Sequence, residues 1–190
     1  MRTDQWLGGW KTEDPDDAVR EVARRYLHAY GPARREELAG WWGVRAPQGT
    51  AMLASLGDEV EQVDVEGWRG WMLTRDVARI ARQSEAASVR LLGHFDPLVV
   101  LGAKYAGYAL KPEHKKQVHR VAGWVSPVLL VDGVVSGVWS LDKNGRRLDV
   151  RSFGPLAKWI KEGVGEESSK LGDYLGAKLQ VTFGRCRLLF

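Results

Sequence analysis

Apolar residues recur every three or four positions over residues 19–30. Val19, Val22, Ala23, Tyr26, Leu27 and Tyr30 form one stripe among polar neighbours, the pattern of an amphipathic helix. TEDPDD at 12–17 marks its start: Thr12 or Asp14 supplies the cap, Pro15 suits the first turn, and the acids complement the helix dipole. Gly31-Pro32 ends it. A second helix follows from about Ala33 to Trp42, with Leu38, Trp41 and Trp42 as its buried side. After Gly43, residues 46–56 form a third, turning Met52, Leu53 and Leu56 inwards. The period then changes to two. Val60, Gln62, Asp64 and Glu66 alternate with Glu61, Val63 and Val65 before Gly67 and WRGWML, which predicts a hairpin over 59–73 turning near Glu66 to Trp68.

The remaining chain reads differently. A helix is expected near Asp76 to Ser84, then VRLLGHFDPLVVLG (89–102) as a short strand, an Asp-Pro turn and an apolar helix or strand. Residues 125–141 form two strands joined around Asp132-Gly133, a strong hairpin signal. Lys143-Asn144-Gly145 leads to a strand over 146–153, Gly154-Pro155 opens a helix through about Tyr174, and KLQVTF (178–183) is a last strand. The fold class is α+β: a winged helix-turn-helix over residues 1–85, then an antiparallel β-rich unit with flanking helices over 86–190 that holds a basic segment and a long helix.

Three helices followed by a hairpin is the winged-helix plan, in which the third helix enters the major groove and the hairpin forms the wing. Arg34 and Arg35 sit at the first turn of the second helix, where the dipole disfavours cations. Phosphates would supply the missing negative charge; solvent is the plain alternative. Arg45, Gln48 and Thr50 fall near the start of the third helix as DNA-contact candidates. The same plan also serves protein–protein contacts, so these residues alone leave both uses open.

Charge adds a second candidate surface. The 190 residues carry a net charge of +4 and a pI near 9.3, and residues 104–120 place Lys104, Lys111, Lys115, Lys116 and Arg120 against Glu113. A helix starting at Pro112 would gather Lys111, Lys115, Lys116 and Arg120 on one side, with Tyr105 and Tyr108 upstream, for contact with backbone phosphates. A hydrophobic fraction of 44% suits a globular core, and the nine tryptophans are expected as core or interface anchors. The start MRTDQWLGGWK has no signal-peptide core, no apolar run is long enough for a membrane span, and a single cysteine, Cys186, fits a cytoplasmic protein without internal disulfides.

Three blocks, RYLHAYGPARREELAGWWGV, VRLLGHFDPLVVLG and AGWVSPVLLVDGVVSGVWS, resemble in order and spacing the winged-helix DNA-binding family of the AlkZ/YcaQ-type DNA glycosylases. The resemblance runs from about Trp6 to Phe183. It implies tandem winged helices on duplex DNA and excision of alkylated or crosslinked bases. It also implies a catalytic Gln-apolar-Gln or Gln-apolar-Asp motif in an N-terminal winged helix. The present chain resembles the C-terminal half, so that motif is not carried over, and a separate N-terminal catalytic half is an expected partner. Gln62-Val63-Asp64 spells the tripeptide, but on the wing strand, where alternation on a half-exposed strand explains it.

Other chemistry is weaker. Pro97 turns the chain directly after His94 and Asp96, His114 and His119 are badly spaced for a closed zinc site, and Asp96 suits a turn or a helix cap. GVVSG lies inside a hairpin, and Ser126 and Ser136 have no evident base. No metal, cofactor or catalytic residue is expected. The favoured reading is a winged-helix protein that binds duplex DNA, alkylated in its repair setting, without catalysis of its own. A DNA glycosylase with Gln62 and Asp64 as first residues to test is the alternative, and a protein-interaction module the third.

Overall fold

The computed structural model describes residues 3–6, 8–9, 13–65, 67–80, 82, 87–102 and 109–186. Contacts divide the chain into two units, Met1–Gln83 and Ser84–Phe190. The first unit contains α1 (Thr3–Trp6), α2 (Pro15–Tyr30), α3 (Arg35–Trp42), α4 (Ala46–Ala54), a 3-10 turn (Gly57–Glu59), β1 (Val60–Val65), β2 (Trp68–Leu73) and α5 (Thr74–Ile80). Asp14 caps α2, its Oδ1 accepting from the Asp16 and Asp17 amides at 2.9 and 3.2 Å. The apolar stripe of α2 then buries Ala23, Tyr26 and Leu27 against Leu38, Met52, Leu53, Leu56 and Leu73.

Two expectations for this unit need correction. Ala33 is not helical: its N–H donates to the Trp71 carbonyl at 3.0 Å and the Trp71 N–H donates back at 2.7 Å. The cap falls one residue later because Glu37 Oε2 accepts from the Arg34 amide at 2.6 Å, leaving buried Ala33 to extend the hairpin edge. Trp42 is 44% exposed, while Trp41 packs against Tyr26 with ring centroids 5.1 Å apart. Consecutive residues point about 100° apart on a helix, so this short element faces only one of the pair inwards.

β1 and β2 pair antiparallel, with Gln62 opposite Trp71 and Asp64 opposite Arg69. Gly67 (φ 90°) stands in the turn, and its N–H donates to Asp64 Oδ1 at 3.2 Å. His28 Nδ1 lies 2.8 Å from Asp76 Oδ2, joining α2 to α5.

The second unit is built on a five-stranded sheet in the order β3 (Val89–Leu92), β4 (Val128–Val131), β5 (Val134–Leu141), β6 (Arg147–Ser152), β7 (Gln180–Arg185). Asp132 and Gly133, at φ 48° and 78°, make the left-handed two-residue turn between β4 and β5. The unit's described helical structure includes a π-turn (Leu98–Gly102), 3-10 turns (Pro112–His114 and Val121–Gly123), the single turn α6 (Lys115–Val118) and the long α7 (Lys158–Leu175).

Three of the sheet's pairings are antiparallel, but β7 joins β6 in parallel, so the sheet is mixed rather than antiparallel as expected. The cause is α7. It carries the chain back along the sheet, so β7 starts beside the start of β6, as a crossover connection requires. Successive residues of β4 feed two apolar clusters. Val128 joins Val99, Leu110, Val118 and Val135; Leu129 and Val131 join Val89, Leu148, Val150 and Val164. Gly163 lets α7 approach β3, since a Cβ there would lie 2.8 Å from the Val89 side chain.

Candidate nucleic-acid interface

In the first unit, the start of α3, the end of α4 and the hairpin enclose a groove of about 480 Å³. Arg34, Arg35, Thr50, Gln62, Arg69 and Trp71 are among its walls. Three arginines thus share this lining with the Glu36 carboxylate and with apolar Leu53, Ala54 and Val60. The Arg34 guanidinium carbon lies 4.8 Å from the Trp68 ring centroid, a cation–π contact that holds the group without neutralising it. Arg35 Nε donates to Glu36 Oε1 at 2.6 Å, and this hydrogen bond holds the Glu36 carboxyl below its ordinary range. Among the described residues no carboxylate forms an ion pair with Arg34 or Arg69.

The groove brings together Arg34, Arg35 and Thr50 of the expected contacts, but not Arg45 or Gln48. Those two open α4 on an exposed surface, where Gln48 Oε1 accepts from the Arg45 amide at 3.0 Å. Thr50 Oγ1 donates to the Ala46 carbonyl at 3.2 Å. Arg69 and Trp71 were missed by sequence reasoning. Their signal was the period of two on β2, which sets both on one face opposite Asp64 and Gln62.

The basic segment is less unified than its spacing implies. Helical turns run from Pro112 to Val118, and His119 is already extended, so Arg120 lies off the helix. Lys111 lines a small groove with His114 and Phe153, whereas Lys116 and Arg120 line a separate cleft of about 520 Å³. Lys115 is exposed outside both. Lys104, Tyr105 and Tyr108 lie outside the described residues.

The other chemical candidates hold structural positions. Asp96 Oδ1 accepts from the Leu98 amide at 2.9 Å, capping the π-turn. His94 Nδ1 is 3.2 Å from the Val125 carbonyl oxygen, and the His114 ring stacks on Phe153 at 4.0 Å. Among the described residues, no three His, Cys, Asp or Glu side chains are grouped to hold a metal. Burial pushes the Cys186 thiol up, away from the reactive thiolate. Within the Gln62-Val63-Asp64 tripeptide, Gln62 faces the groove while Asp64 is engaged by the turn.

Comparison with known proteins finds relatives among DNA-repair enzymes. The family model "DNA glycosylase AlkZ-like" matches residues 1–174. The chain is 37% identical over 141 residues to an interstrand DNA cross-link repair glycosylase of Streptomyces sahachiroi, covering 72% of this chain and 38% of that protein. It superimposes on the solved structure of the Streptomyces sahachiroi DNA glycosylase AlkZ with a TM-score of 0.82 at 32% identity, covering 92% of this chain and 48% of the other. The chain therefore spans less than half the length of these relatives. No described helix is long and apolar enough to cross a membrane. With the mixed α+β architecture matched over nearly its whole length, the chain belongs to the AlkZ-like DNA glycosylase family.

Proposed function

We propose that the chain works as a DNA-repair glycosylase acting on alkylated or crosslinked duplex DNA, with its first unit serving as a winged helix on the duplex. The observation that carries the reading is the groove on which Arg34, Arg35 and Arg69 converge beside Gln62 and Thr50. Glu36 already offsets Arg35, whereas Arg34 and Arg69 have no acid partner among the described residues, and a backbone phosphate in the groove would supply one. The hairpin supplies Arg69 and Gln62 as the wing, and Arg45 with Gln48 opens the helix that faces the major groove. Lys111, Lys115, Lys116 and Arg120 add phosphate contacts from the second unit.

A second reading, duplex binding without catalysis by this chain alone, is favoured by the engagement of Asp64 in the hairpin turn. Stabilising an oxocarbenium-like sugar and orienting water requires a well-placed polar or acidic group, and of the tripeptide's two polar side chains only Gln62 faces the groove. In that case a separate catalytic half supplies the chemistry.

The test measures binding and base release on one duplex containing N7-methylguanine. The chain is expected to release the base above the protein-free rate and to bind with strong salt dependence. Arg34→Ala and Arg69→Ala should each flatten the log–log salt slope by about one. Binding without release selects the second reading, and no binding at any salt concentration rejects both.

A further inference from the structure

The cleft of about 520 Å³ in the second unit combines features that phosphate contact alone does not require. Lys116, Arg120 and Arg185 line it, and none has an acid partner among the described residues; Arg151 is paired with Asp149 at 3.0 Å. Beside these cations stands Trp124, 48% exposed, with the His94 and Phe95 rings against it at 4.9 and 5.1 Å in edge-to-face geometry. Large aromatic surface left open next to free cations is the composition of a stacking platform with a phosphate grip.

The backbone presents this platform deliberately. His119 bridges Val125, and the Arg120 amide donates to the Trp124 carbonyl at 2.8 Å, so Arg120 and Trp124 face each other across the neck of a tight loop. Ala122 (φ 61°) and Gly123 (φ 75°) make its tip, and Phe95 on the neighbouring loop also sits at φ 56°. Left-handed conformation at alanine and phenylalanine is disfavoured, and it persists where the surroundings impose it, often at binding sites. Gln117 also lines the cleft, only 9% exposed, and its Oε1 has no hydrogen-bond partner, an acceptor that awaits a donor.

The geometry points to this cleft as a binding site for an unpaired nucleotide of DNA, its base stacked on Trp124 and its phosphates held by Arg120, Lys116 and Arg185. A base in an intact duplex has both faces covered, so Trp124 gains nothing from it. A base displaced beside a lesion, bulge or gap offers a free face. The cleft's volume lies in the range of small-ligand sites, and four cations against one carboxylate suit a phosphodiester rather than a neutral aromatic. The inference rests on the DNA-binding reading above and adds a site that discriminates disrupted from intact duplex.

Fluorescence anisotropy with the full chain tests it on a labelled blunt duplex and on the same duplex with a thymine bulge. The wild-type chain should bind the bulged duplex about tenfold more tightly, the scale of one base–aromatic stack. Trp124→Ala should remove that preference and leave blunt-duplex affinity unchanged, and Trp124→Phe should restore most of it. Arg34→Ala, in the first unit, should weaken both probes alike. A 2-aminopurine placed in the bulge should be quenched by the wild-type chain, a readout independent of any variant. Equal affinity for the two probes, or a preference that survives Trp124→Ala, overturns the inference while leaving duplex binding intact. Bulge binding with no blunt-duplex binding supports the inference and overturns the duplex reading. Binding to neither rejects both.

Discussion

Glu37 shows how much one side chain holds. Its Oε2 caps α3 through the Arg34 amide, yet the residue is 7% exposed, and burial pushes its carboxyl up from the ordinary 4.5 against the pull of that amide and of the Arg34 charge. A carboxyl raised on folding holds its proton more tightly in the native state. Its effect on stability is therefore most favourable below the ordinary value and is eroded as pH rises through the folded one. Glu37→Gln keeps the acceptor and removes the desolvated charge. It should melt no lower than wild type at neutral pH, and any advantage should disappear below pH 4.5, where the wild-type carboxyl is also neutral. Glu37→Ala, which loses the cap, should lose about 1 kcal/mol. Thermal melts across pH decide, and a lower Tm for the glutamine variant at pH 7 would mean that the charge itself is needed.

At the scale of elements, the crossing of α3 and α4 depends on Gly49. A Cβ there would stand 2.5 Å from the Arg35 carbonyl oxygen and 3.0 Å from Ala39 Cβ, and backbone cannot move aside as a flexible side chain would. Gly49→Ala should therefore cost about 1–3 kcal/mol despite the better helix propensity of alanine, and should weaken duplex binding by displacing Arg35. A raised Tm would refute the close approach. The helices and the hairpin themselves were legible, because periods of 3.6 and 2 are written locally, and so was the Asp132-Gly133 turn. What stayed hidden was pairing at a distance. Nothing local to Ala33 announces Trp71 as its partner, and nothing in KLQVTF shows that β7 lies parallel to β6. Arg69 escaped for the same reason, since its place in the groove follows from its register with Asp64.

Across the whole molecule, charge is divided unevenly. Met1–Gln83 holds 12 Lys and Arg against 14 Asp and Glu, net −2, whereas Ser84–Phe190 holds 16 against 10, net +6. On the proposed DNA-binding role, long-range attraction to the polyanion would come from the second unit, while the groove of the first would act at contact range. Replacing Lys111, Lys115 and Lys116 with alanine should weaken duplex binding and flatten its salt slope by about one for each lysine that touches phosphate. An unchanged slope would make the segment a solvated face. The basic segment was legible as composition, but its split between two surfaces was not. The cleft is assembled from His94, the 116–126 stretch, Trp139, Asp149, Arg151 and Arg185, segments that only the folded sheet brings together.

The parallel seat of β7 has a consequence during synthesis. When β6 emerges from a ribosome, its neighbour β5 is already made, but its other edge waits while residues 153–179 are added. At roughly 5–20 residues per second, that edge stays unpaired for about one to five seconds. Bare strand edges recruit other chains, and charge is a common deterrent. β6 carries one at every second position, Arg147, Asp149 and Arg151, an arrangement that would discourage pairing with neighbouring polypeptides until its own partner arrives.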